Sequence, residues 1–141
     1  MVKIERLSQR LSSVLKRVPG VQAAVLFGSV LEAPELARDV DILLVIEGRD
    51  IEETLNEIER KLLSAFPEVS LEVFDLVPFL PGPVDPDVLY EALSRGRLLF
   101  NRNGAYERAL ERLSAYFIEN EIVLKGRELD YYGLEPQVHP R

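Results

Sequence analysis

Two aspartates one residue apart, Asp39 and Asp41, stand at the head of an apolar stretch, and the pair Gly28-Ser29 closes the apolar stretch before it. Side chains alternate faces along a strand, so Asp39 and Asp41 are expected to project from the same side. Two carboxylates held that way do not both ionise cheaply unless a cation lies between them. The spacing therefore asks for a divalent metal. The Gly-Ser corner asks for a phosphate: Gly28 lets the backbone come close, the amides opening the next turn point at an anion, and the Ser29 hydroxyl adds a donor. Nucleotidyl transfer from a nucleoside triphosphate uses both halves, with two cations about 4 Å apart on the attacking and leaving oxygens. Magnesium prefers oxygen ligands and keeps several waters, so two or three carboxylates are sufficient protein ligation.

A third carboxylate should come from the neighbouring strand, in the run SLEVFDLV (residues 70–77). Glu72 and Asp75 differ by three positions and face opposite sides of a regular strand, so only one can join the aspartate pair without a bulge. Placement well inside the strand favours Glu72, since Asp75 approaches a proline loop.

The elements that must position these groups follow from periodicity. Apolar residues at three- and four-residue spacing predict a helix over residues 3–18, stopped by Pro19-Gly20. Strands are predicted over residues 21–27, 40–46 and 69–77, with a short helical turn over 30–37. Asp50, followed three residues later by Glu53, opens a helix over 51–66. Four prolines in residues 78–87 make an irregular loop. A short helix over 88–95 capped by Asp87, a fourth strand over 97–100 and a last helix over about 103–129 complete the chain. One domain over residues 1–130 and a frayed tail over 131–141 are expected. The last helix carries apolar residues wide around its circumference, which suits a homodimer or a heteromer.

Composition narrows the chemistry. The 141 residues are 47% hydrophobic and 29% charged, as in a globular protein with a single core. With no cysteine and one histidine, His139, neither a cysteine nucleophile nor a histidine-based triad or metal cluster is available. The net charge of −7 argues against a surface built to grip nucleic acid. No apolar run approaches the ~20 residues of a membrane span, and the first residues lack a signal-peptide core, so a cytoplasmic protein is expected. Few amide residues beside many charges lean toward a thermophilic source.

The segment GS(VLEAPELAR)DVD resembles the core motif of the DNA polymerase beta superfamily of nucleotidyltransferases: Gly-Ser, a spacer near ten residues, then Asp-x-Asp on a strand. LEVFDL is similar to the superfamily's third acidic strand, which again points at Glu72. ALSRGRLLFNRN (residues 92–103) resembles the helix-Gly-strand segment that follows. The likeness spans residues 20–103, and the last helix suits the small stand-alone members, the minimal nucleotidyltransferases. Those often act as antitoxins that pair with a HEPN-domain protein and transfer AMP onto a partner tyrosine. The resemblance implies an α+β fold: a four-stranded mixed sheet, helices packed on one side, and a long C-terminal helix. It implies transfer from ATP with two Mg2+ ions on Asp39, Asp41 and Glu72, Asp75 being the alternative acid. Gly28, Ser29 and Arg38 would bind the nucleotide, and a HEPN-type partner would carry the acceptor hydroxyl. Val30 and Leu31 stand where members commonly carry Arg or Lys, and Glu32 and Glu35 lie in the spacer. These departures support a rival reading, a catalytically weak or inactive module of the same fold that binds nucleotide or partner.

Overall fold

The computed structural model describes residues 4–120. Its elements run α1 (Ile4–Leu15), β1 (Val21–Phe27), α2 (Ser29–Glu32), β2 (Val40–Ile46), α3 (Ile51–Ala65), β3 (Phe74–Pro78), α4 (Pro86–Arg95), β4 (Arg97–Asn101) and α5 (Ala105–Glu119). The four strands form one mixed sheet in the order β3-β2-β1-β4. β1 lies antiparallel to both β2 and β4, while β2 and β3 are parallel, joined by α3 as the crossover.

The sheet is covered on both faces, which corrects the expectation of helices on one side. Ala23, Val25 and Phe27 of β1, with Leu43 and Val45 of β2, pack against Leu89, Ala92 and Leu93 of α4 and Ala109, Leu113 and Phe117 of α5. Their neighbours Ala24, Leu26, Ile42 and Leu44 pack on the opposite face against Leu11 and Leu15 of α1 and Ile58 and Leu62 of α3. The physical reason lies in the two central strands, VQAAVLF and VDILLVI. Both are continuous apolar runs rather than alternating ones, and such a strand needs cover above and below.

Local chemistry sets the element ends. Asp50 caps α3 as expected, its carboxylate accepting from the Glu53 amide at 2.9 Å. At α4 the cap is Asp85 rather than Asp87: the Asp85 carboxylate accepts from the Asp87 amide at 2.9 Å, and Pro86 occupies the first helical position, where its missing N–H costs nothing. Gly96 ends α4 where a Cβ would lie 2.3 Å from Val25 Cγ1, so only glycine lets the chain pass this close to β1. α5 starts at Ala105, and the Asn101 side chain accepts from the Tyr106 amide at 2.9 Å. The Tyr106 hydroxyl donates to the Leu93 carbonyl at 2.6 Å, tying α5 to α4 as a packing residue. The predicted continuation of the last helix to residue 129, and the tail over 131–141, lie outside the described residues.

The predicted strand over 69–77 is the largest local correction. Residues Leu71–Val73 form a single 3-10 turn, braced by the Ser70 hydroxyl accepting from the Glu72 amide at 3.3 Å, and β3 begins only at Phe74. Pairing explains the late start. The parallel partner β2 begins at Val40, opposite Phe74, so residues before Phe74 have no ladder to join.

Candidate active site

The parallel register places Asp41 directly beside Asp75, and the antiparallel register places Phe27 on Asp41's other flank. Paired residues in a sheet share a face, so Asp41 and Asp75 both project on the side covered by α4 and α5. Asp39 sits just before β2, exposed, with Arg38 exposed beside it. The site therefore lies at one end of the sheet, where β1 finishes and β2 and β3 begin.

Gly28 couples this acid pair to the corner. Its φ of 86° and ψ of −156° belong to a region open essentially to glycine alone. A Cβ there would sit 2.3 Å from Asp41 Oδ2, so the absent side chain is what lets the carboxylate lie against the corner. Ser29 follows as an exposed residue opening α2, whose first amides have no acceptor inside the helix. Backbone bonds from Leu31 to the Gly28 carbonyl (3.0 Å) and from Ala33 to the Ser29 carbonyl (2.8 Å) hold the single turn. The spacer is otherwise turn and loop, shorter in helix than the predicted 30–37.

Electrostatics mark Asp41. Burial, then the charge and hydrogen bond of Asp75, then the charges of Asp39 and Glu91 push its carboxyl from the ordinary 3.8 up to about 6. Glu91, on α4, carries no motif; only the packing of α4 over β1 and β2 brings its charge here. Because the folded-state pKa is raised above the unfolded value, the folded chain holds the extra proton between these two values. Metal-free stability should then fall as pH rises from about 4 to about 6, and the full cost should stand above that. Asp41 is only half-buried, so solvent screening reduces the cost to about 1 kcal/mol. Urea unfolding across this window should show a loss of that size that is missing in Asp41→Asn; identical pH profiles would contradict it.

The structure thus brings together Asp41, Asp75, Gly28 and Ser29, with Asp39 and Arg38 alongside. It does not bring Glu72 into the strand, where the sequence placed it; Glu72 is exposed in the 3-10 turn preceding β3. Among the described residues, no group of three or more acidic or histidine side chains converges tightly enough to hold a metal unaided. The donor set nevertheless fits magnesium, which is bound through one or two carboxylates and completes its shell with water and substrate phosphates. The raised Asp41 carboxyl beside Asp75 is the mark of a pair short of positive charge.

The four-stranded mixed sheet with its helices is that of a nucleotidyltransferase fold. The family described as Polymerase beta, Nucleotidyltransferase matches residues 9–105, and the chain belongs to it. A chain from the crystal structure of a toxin-antitoxin with AMP-PNP shares 18% identity at a TM-score of 0.64, the match covering 87% of this chain and 96% of that one. A chain from the toxin-antitoxin MntA-HepT gives 17% and 0.60, covering 89% and 97%. A third comes from the tri-AMPylated Shewanella oneidensis HEPN toxin in complex with MNT antitoxin, at 17% and 0.53, covering 86% and 97%. At these identities the likeness is one of fold. No curated protein matches the chain. None of the described helices is long and apolar enough to cross a membrane.

Proposed function

We propose that this protein is a magnesium-dependent nucleotidyltransferase that moves AMP from ATP onto a hydroxyl of a HEPN-type partner protein, as the antitoxin of such a pair. The observation that carries the reading is the register of Asp41 against Asp75 beside Gly28. The solved structures add support, since they pair this fold with AMP-PNP in one case and with an AMPylated HEPN toxin in another.

In this reading Asp41 and Asp75 hold magnesium, with Asp39 flanking; Glu72 is the alternative third acid. Bound magnesium supplies a counter-charge for the phosphate oxygens and for the attacking alkoxide. The Gly28-Ser29 corner offers its amides and hydroxyl to the terminal phosphates, and Arg38 adds a cation at the mouth. The acceptor oxygen bonds to the α-phosphorus as the bond to the bridging oxygen breaks. Pyrophosphate leaves with that electron pair, and the acceptor's proton passes to solvent. Magnesium would compete with the proton that the raised Asp41 carboxyl holds below about pH 6, so magnesium-dependent transfer should rise with pH up to that value.

Purified protein, labelled ATP, magnesium and a HEPN-type partner should give labelled partner, and Asp41→Ala should give none. Transfer that persists in that variant would overturn the reading. The exposed Glu32 and Glu35 in the spacer favour one rival, a partner-binding module without catalysis. Its signature is a stable complex that forms without label transfer from the unaltered protein.

A further inference from the structure

We propose that the groove between α1 and β4 is a second anion site, built for a phosphate-bearing small molecule of nucleotide size and separate from the carboxylate site. The groove has a volume of about 570 Å3, inside the range of about 300–1,000 Å3 typical of small-molecule sites. Ser8, Ser12 and Ser13 of α1 and Lys16 and Arg17 of the turn that follows it line one wall, and Arg97 of β4 lines the other. Every one of these side chains can donate a hydrogen bond, and no carboxylate is among the lining residues described. In a chain of net charge −7, three cations and three hydroxyls gathered with a single exposed carboxylate beside them, that of Glu5, select for a ligand rich in acceptor oxygens.

Ser8 is the observation that singles the groove out. The residue is 7% exposed, and its Oγ is enclosed with no hydrogen-bond partner among the described residues. A hydroxyl buried without a partner is destabilising, and alanine would serve the helix better. Ser12, one turn on, at least reaches the Leu99 carbonyl at 3.4 Å. Ser8 is among the lining residues of the groove, and a phosphate oxygen seated beside it would supply the acceptor its hydroxyl lacks. Arg97 is available as well: its only described ion pair is with Glu5 at 3.5 Å, and Glu5 is 80% exposed, so the pair is solvated and readily exchanged for a phosphate.

Position keeps the two sites distinct. Arg97 pairs with Leu26, two residues before Gly28, so groove and corner share one end of the sheet. The groove opens on the α1 face, whereas Asp41 projects on the face of α4 and α5. The proposal therefore stands or falls apart from the transferase reading.

The test uses the full chain in EDTA at low salt, titrated with inorganic tripolyphosphate and, in parallel, with ATP, and followed by calorimetry and amide shifts. Saturable binding is expected, with shifts on residues 8–17 and 97–99. Lys16→Ala and Arg97→Ala should each weaken it by at least about tenfold, while Arg60→Ala, a remote exposed cation on α3, leaves it unchanged. Ser8→Ala should weaken binding about threefold yet leave the ligand-free unfolding midpoint equal or higher, since the lost hydroxyl has no partner to lose. Tighter binding of ATP than of tripolyphosphate would extend the ligand class to nucleotides, and equal binding would restrict it to oligophosphates. The proposal is overturned by an absence of saturable binding, by binding that Arg97→Ala leaves intact, or by equal loss in Arg60→Ala.

Discussion

Asp41→Asn should lower nucleotidyl transfer by at least about 1,000-fold while leaving the fold intact and raising metal-free stability by about 1 kcal/mol at neutral pH. The two effects have one cause. Asp41 is half-buried, with Phe27 on one flank and the Asp75 carboxylate on the other, and its ionised form is held there at a cost. The amide keeps the shape and removes the charge, so the fold gains what the site loses. A residue present only for packing would show the opposite pattern, lower stability with activity following it down. The same logic separates the two candidate third acids. Asp75→Asn should resemble Asp41→Asn, whereas Glu72→Gln, exposed in the turn before β3, should keep transfer within about threefold. A severe loss in Glu72→Gln with a mild one in Asp75→Asn would return the role to Glu72. Steady-state transfer assays and urea unfolding read both effects.

Gly28→Val should cost at least about 3 kcal/mol of stability and remove transfer along with it. A β-branched residue at φ 86° is a steric outlier, and its Cβ would be driven to 2.3 Å from Asp41 Oδ2. Gly48 separates the two contributions, because it also has positive φ (75°) but nothing within 4 Å of an added Cβ. Gly48→Ala should therefore show the conformational cost alone, about 1 kcal/mol. Gly28→Ala should exceed it, and the excess should shrink by at least about 1 kcal/mol in an Asp41→Ala background, where the opposing oxygen is gone. Strict additivity of Gly28→Ala and Asp41→Ala would mean that the corner and the acid pair are not in contact.

The corner at Gly28 and the strands β1 and β2 on either side of it were legible because each rests on local chemistry: an apolar run and a glycine. The choice between Glu72 and Asp75 was not, because strand parity counts only from where a strand begins, and β3 begins where β2 offers it a partner. That is a property of pairing, invisible in residues 69–77 read alone. Cover on both faces of the sheet was legible in principle, since VQAAVLF and VDILLVI are apolar at consecutive positions. Asp85-Pro86 likewise carried its own start signal, a capping aspartate before a proline at the first helical position. Glu91 had no signal at all; its charge matters only because the fold lays α4 across the strands that hold Asp41.

In the proposed function Asp41 and Asp75, set beside a side-chain-free corner, hold a cation and a triphosphate together. Calorimetry of the full chain with ATP tests it most directly, run with Mg2+ and again in EDTA, on the Arg97→Ala background so that the α1–β4 groove does not contribute. Binding should require Mg2+ and vanish when Asp41 and Asp75 are both changed to asparagine. Magnesium-dependent ATP binding undiminished in that variant, or none in the chain with both aspartates in place, would contradict it.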